Sequence, residues 1–180
     1  MKTIAFAVLC LLPYGAWQSS PDQNHPTYVP VRTYDPSRNA QQDIEDARRE
    51  AKRTSKRVLI QVGGNWASWC HIMDKFFLDH KDLADLRDAN FVTVAVNVSK
   101  ENQNRAALSR YPYITEYPQL IVEEADGTPL VSQKTSALEK GDTYDPEKMR
   151  EFLLQWKPPD KKSVRQEDRR PGERDSSNLL

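Results

Sequence analysis

The chain has 180 residues, with 26 basic and 26 acidic side chains and a formal net charge of zero. That balance excludes recruitment of nucleic acid or an acidic surface by bulk charge. A mean hydropathy of −0.77 fits one water-soluble domain with polar extensions.

The N-terminus opens with Lys2 and an apolar run from Ile4 to Leu12, followed by Pro13, Gly15 and Ala16. This is the order of a secretory signal, with basic start, apolar centre and small-residue cleavage zone, and residues 1–18 are expected to be one. The run is too short to span a bilayer, so no membrane span is expected in the mature chain. The protein is therefore expected to be exported, periplasmic or secreted. Leu9 before Cys10 argues against lipid attachment there, because a small residue normally precedes a lipidated cysteine. Cys10 and Cys70 are the only cysteines. Removal of the signal leaves one thiol in an oxidising compartment and no internal disulfide.

Residues 19–38 carry Pro21, Pro26, Pro30 and Pro36 among polar side chains and read as an extended lead-in. From Asn39 to Ser55, Ile44, Ala47 and Ala51 share one face among charges, which predicts a first amphipathic helix. Val58-Leu59-Ile60-Gln61-Val62 is a short apolar, β-branched run ending at Gly63-Gly64, as in a buried strand that feeds a turn. The loop Asn65-Trp66-Ala67-Ser68 follows. Trp69, Ile72, Met73, Phe76 and Phe77 then recur at helical spacing, which puts Cys70 in the first turn of a second helix. Asp82 reads as the cap of a short helix through Leu83 and Leu86 that Asn90 ends.

Phe91 to Val98 is the strongest strand signal and is expected to be central. Asn102 to Arg110 is predicted helical. Gln119–Glu123 and Leu130–Gln133 flank the turn Ala125-Asp126-Gly127-Thr128 and read as antiparallel strands. Asp145 as N-cap and Pro146 at the first helical position open a last helix with Met149, Phe152, Leu153 and Trp156 on one stripe. Pro158-Pro159 stops it. In the tail, 158–180, eleven of 23 residues are charged, which predicts disorder. Helical crossovers early and a hairpin late predict an α/β domain over 39–157, a small mixed β-sheet flanked by helices.

This order, the loop Gly64-Asn65-Trp66-Ala67-Ser68-Trp69-Cys70-His71-Ile72-Met73 and a proline just before a late strand together resemble the thioredoxin-like superfamily. The loop is similar to that of exported bacterial thioredoxin-family proteins with a W-C-x-W-C-H run, and also to the thioredoxin-like domain with a C-H-W-C-H-V-M run. The resemblance implies a thioredoxin-like fold. In the family, two cysteines two residues apart perform thiol–disulfide exchange, the first as nucleophile and the second as resolving thiol. By position, Ala67 stands for the nucleophile and Cys70 for the resolving residue, so the A-x-x-C loop is degenerate. Tyr117-Pro118 matches the site of the cis-proline that faces the loop, where the neighbouring backbone pairs with extended peptide. The acidic residue beneath many such loops has no counterpart between Val58 and Val62.

The candidate binding residues are thus Trp66, Ala67, Trp69, His71, Tyr117 and Pro118, with Cys70 catalytic only if a monothiol activity survives. For Cys70 three readings stand. It is an inert half-buried thiol, a functional monothiol favoured by the helix N-terminus, or a site for a mixed disulfide with a partner. No metal site is expected, because His71 points about 100° from Cys70 on a helix and His25 and His80 match no zinc spacing. No cofactor is expected. Two functions follow. The first is an exported thioredoxin-like protein that binds peptide or protein partners without a self-contained dithiol cycle. The alternative is a monothiol oxidoreductase whose mixed disulfide an external thiol resolves.

Overall fold

The computed structural model describes residues 27–111 and 114–160. The expected signal segment, the lead-in up to residue 26 and residues 161–180 of the tail lie outside the described residues, as do Cys10 and His25.

Helix α1, Ala40–Thr54, starts where Asn39 caps it, accepting from the N–H groups of Gln41 and Gln42, and ends at Ser55 in the left-handed region. Its apolar stripe of Ile44, Ala47 and Ala51 is buried against one face of the sheet. Strand β1, Arg57–Gly63, runs parallel to β2, Phe91–Asn97, and antiparallel to β3, Gln119–Glu123, which pairs in turn with β4, Pro129–Lys134. The order across the sheet is β2-β1-β3-β4. This is the small mixed sheet the sequence predicts, with a parallel pair first and a hairpin last. Gly127, at φ +88°, makes the hairpin turn, where its N–H donates to the Glu124 carbonyl at 2.9 Å.

Alternation along β1 sends Val58, Ile60 and Val62 to the α1 face and Leu59 to the other. That second face is covered by α2, Ser68–Asp79, α3, Lys81–Asn90, and α5, Pro146–Trp156, through Met73, Phe76, Leu83, Met149, Phe152 and Leu153. Each such side chain removed from water contributes about 1.5–3 kcal/mol. Asp145 caps α5 with Pro146 at its first position, as predicted, and the residue before Pro158 is extended.

Two local expectations change, and one unpredicted element is added. The third helix begins at Lys81 after His80, and Asp82 lies inside its first turn, ion-paired with Arg150, rather than capping it. The helix expected over 102–110 contracts to α4, Arg105–Leu108. Asn104 is left-handed there, and its Nδ2 donates to the Asn97 carbonyl at 2.8 Å, so the preceding turn cannot be helical. After β4 a 3-10 turn, Thr135–Leu138, and a two-residue hairpin of β5, Glu139–Lys140, with β6, Thr143–Tyr144, bring Tyr144 under α2. Those strands are too short for a periodicity to register.

The lead-in is also more than an approach. Val31 and Tyr34 are buried, Val31 in the α1-side core and Tyr34 beside the motif loop.

Candidate functional site

The loop between β1 and α2 is fixed by two close approaches. A Cβ on Gly64 would lie 2.5 Å from Trp66 Nε1 and 2.8 Å from the Val98 carbonyl oxygen, so only glycine lets the indole fold back and donate to Val98 at 2.6 Å. The ring body stays outside, 61% exposed, and meets the Tyr117 ring edge to face at 5.3 Å. His71 is exposed and bonds the Asn65 carbonyl through Nε2 at 2.8 Å, bracing the loop. Ala67 precedes α2 without a side-chain cap and is buried. Trp69 turns inward, its ring 5.3 Å from Tyr144, whose hydroxyl donates to the Trp69 carbonyl at 3.3 Å.

Cys70 lies in the first turn of α2, as the spacing predicts, yet it is 0% exposed. Tyr34, Ala67 and Ala95 surround it, with Tyr117 packed on the same cluster. Two residues of this environment were not candidates from the sequence. Gln61, the one polar residue in an apolar strand, is buried in register between Ala95 and Leu120. Its Nε2 donates to the Tyr34 hydroxyl at 2.6 Å and lies 3.4 Å from Asp74 Oδ1. Tyr34 and Cys70 share one buried cluster, and the Tyr34 hydroxyl, having accepted from Gln61, has its own proton free to favour the Cys70 thiolate. A polar residue alone in a buried strand must find such partners, and that was the available signal for Gln61.

Electrostatics follow from burial. Desolvation raises the Cys70 pKa above its ordinary value; hydrogen bonds from the Gly64 backbone and Tyr34 oppose this, and the Asp74 charge adds to it. Burial likewise drives the Tyr34 phenol far above the usual tyrosine range. Asp74 reaches solvent, and partial burial of its carboxyl raises its pKa against the Gln61 bond and the His71 and Arg87 charges. The arrangement holds a neutral thiol.

Pro118 is buried, and the Tyr117–Pro118 bond is cis. The backbone of Tyr117 makes no hydrogen bond to any described residue. Trp66, Ala67, Cys70 and Tyr117 are thus brought together, whereas Trp69 belongs to the core under α2 and His71 to the loop brace. Among the described residues no three His, Cys, Asp or Glu side chains meet as a metal site.

Residues 39–131 match a family described as thioredoxin-like. Among solved structures, the disulphide isomerase of Xylella fastidiosa Temecula1 is 24% identical, with a TM-score of 0.59 over 71% of this chain and 98% of that one. The C-terminal domain of Neisseria meningitidis DsbD in its oxidised form is 18% identical, with a TM-score of 0.47 over 66% of this chain and 94% of that one. Fasciola hepatica thioredoxin is 18% identical, with a TM-score of 0.41 over 63% of this chain and 94% of that one. The likeness to the Xylella structure concerns the fold. No curated protein matches the sequence.

Proposed function

We propose a function from the premise that the chain belongs to the thioredoxin-like family: it is an exported protein that binds extended peptide or protein partners at its motif loop, without a dithiol cycle. The observation that carries this reading is the complete burial of Cys70 in a loop whose Trp66 is exposed. With Ala67 in the other position of the A-x-x-C loop, nothing at the surface of the site can attack a disulfide. What the surface does offer is the Trp66–Tyr117 ring pair and the backbone of Tyr117, which makes no hydrogen bond to any described residue. Those features suit an extended segment paired main chain to main chain with the stretch at Tyr117 that precedes β3, with one apolar side chain on the two rings. Export is supported by the order of basic, apolar and small residues over 1–18.

The test is selection of unstructured peptides on the full chain, followed by affinity measurement with variants. Cys70→Ser should leave the selected peptides' affinity within about twofold, while Ala67→Trp and Tyr117→Ala should weaken it at least about tenfold. Loss of binding in Cys70→Ser alone favours the monothiol oxidoreductase. Equal binding to Ala67→Trp moves the docking surface elsewhere.

A further inference from the structure

The segment before α1 lies across the edge of the sheet at β2 and over the motif loop. Its burial rests on Val31, 6% exposed, and Tyr34, 3% exposed. Among the described residues, one main-chain hydrogen bond joins residues 27–38 to the rest of the chain, from the Ala95 N–H to the Val31 carbonyl at 2.8 Å. The other attachments are side-chain bonds. Asn65 Nδ2 donates to the Tyr34 carbonyl at 3.1 Å, Asn102 Nδ2 to the Pro36 carbonyl at 2.9 Å, and Gln61 to the Tyr34 hydroxyl at 2.6 Å. At the α1 end, Arg38 anchors the segment through both Asp43 carboxylate oxygens at 2.6 and 2.8 Å, and its carbonyl accepts from Asn102 Nδ2 at 3.2 Å. Arg32 pairs with Asp88 at 3.2 Å in the open. The hydroxyl of Tyr28 is buried and makes no hydrogen bond to any described residue.

The body beneath is held differently. Strand β1 is paired through seven positions with β2 and five with β3. Segments with few main-chain bonds open at lower free energy than the sheet they cover.

We propose that residues 27–38 form a strap whose Tyr34 gates Cys70: seated, it closes the sulfur off from solvent, and lifted, it exposes the thiol while the sheet stays folded. The consequence is a conditional thiol. Desolvation is what suppresses ionisation of Cys70 in the seated state. Its place in the first turn of α2, where unsatisfied N–H groups favour an anion, persists after the strap lifts. The inference does not rest on the peptide-docking reading, because its assay contains no peptide.

The experiment is alkylation of the full chain by iodoacetamide, read at Cys70 by peptide mass, across a urea series below the unfolding transition. The expected result is a labelling rate that rises far less steeply with urea than global unfolding does. Tyr34→Ala should speed labelling at least about tenfold and Asn65→Ala or Asn102→Ala a few-fold, while Tyr34→Phe, which keeps the plug, stays near wild type. Phe152→Leu, on the opposite helix layer, controls for lost global stability and should not speed it. The proposal is overturned if labelling shares the urea dependence of global unfolding, or if Phe152→Leu accelerates it as much as Tyr34→Ala does. It is equally overturned by a folded Tyr34→Ala protein that labels at the wild-type rate. Should Tyr34→Ala not fold, the wild-type urea dependence and Asn65→Ala decide.

Discussion

Gly63 is the sharpest point at which to perturb the site. It is the last residue of β1, buried, and pairs with Asn97. An ideal Cβ there would lie 2.4 Å from Cys70 Sγ and 3.0 Å from Tyr34 Cε1 and Cζ. Favourable contacts between carbon atoms fall at about 3.5–4.0 Å, so the methyl group would overlap the sulfur by more than about 1 Å. With the strap seated, neither neighbour can retreat. Cys70 is fully enclosed on the first turn of α2, and the Tyr34 hydroxyl is held by Gln61.

Overpacking of this kind costs about 1–3 kcal/mol, and the double contact puts Gly63→Ala at the upper end. The stiffer unfolded chain returns about 0.4–1 kcal/mol, leaving a net loss of about 2 kcal/mol. Cys70→Ala removes the sulfur but leaves the tyrosine, so the pair should be coupled by about 1–2 kcal/mol with incomplete rescue. Equilibrium urea unfolding of the two single variants and the double variant measures this. A loss below about 0.5 kcal/mol, or additivity within about 0.3–0.5 kcal/mol, would refute the packing of Gly63 on Cys70.

A second perturbation addresses Arg48, whose guanidinium donates to both carboxylate oxygens of Glu123, at 2.7 and 2.9 Å, with the Tyr111 hydroxyl also on Glu123 at 2.8 Å. Glu123 is 0% exposed, so Arg48→Ala strands a buried carboxylate and should cost about 3–5 kcal/mol in denaturant unfolding; a loss under about 1 kcal/mol counts against the bridge. The pH dependence of stability has a definite sign. The folded Cys70 pKa lies above the ordinary 9.0, so the folded state favours the protonated thiol, and stability is full below 9.0 and falls as pH rises beyond it. The slope from Cys70 is at most about 1.4 kcal/mol per pH unit, and Cys70→Ala should flatten it between 9.0 and 10.0, leaving a decline above 10.0 from the buried Tyr34, Tyr28, Tyr111 and Tyr144 phenols. Urea midpoints between neutral and alkaline pH test this, and an unchanged Cys70→Ala profile refutes it. Ala67→Cys creates a C-x-x-C pair at disulfide-compatible spacing and should lose both free thiols on oxidation. Insulin reduction by that variant should be slow and rise roughly tenfold or more when Gln61→Glu restores a carboxylate beneath the loop. A folded Ala67→Cys protein that forms no disulfide would contradict the spacing.

The elements with strong periodicity were legible. Ile44, Ala47 and Ala51 on α1, the apolar runs of β1 and β2, and the Asp145-Pro146 start of α5 each state their structure locally, and the mixed sheet follows from their order. Misreadings arose where a distant partner decided the outcome. Asp82 has the chemistry of a cap, but Arg150 on α5 takes its carboxylate. The 102–110 helix lost its first turn to Asn104, which is committed to Asn97 at the end of β2. The loop itself was readable from Trp66 to His71, whereas Tyr34 was not. Its place is set by a hydrogen bond to a residue 27 positions later, and no local pattern among the prolines of the lead-in reports that.

The fate of Cys70 is decided by a competition of magnitudes. A helix N-terminus favours an anion by about 0.3–1 kcal/mol at the surface and up to about 2 kcal/mol when partly buried. Full burial disfavours the charged form more strongly than that. Hydrogen bonds from Gly64 and Tyr34 reduce that penalty without reversing it, and the net direction is upward. Two of the residues around the sulfur act together in this. Ala67 withholds the surface nucleophile, and Gln61, in place of a carboxylate, presents a donor to the phenol that closes the cavity. A dithiol enzyme needs its second sulfur reachable by the first and a base beneath the pair. Here the position of the first is apolar, and the group beneath is an amide turned toward Tyr34. Reactivity at Cys70 is therefore a property of the strap's position rather than of the loop sequence.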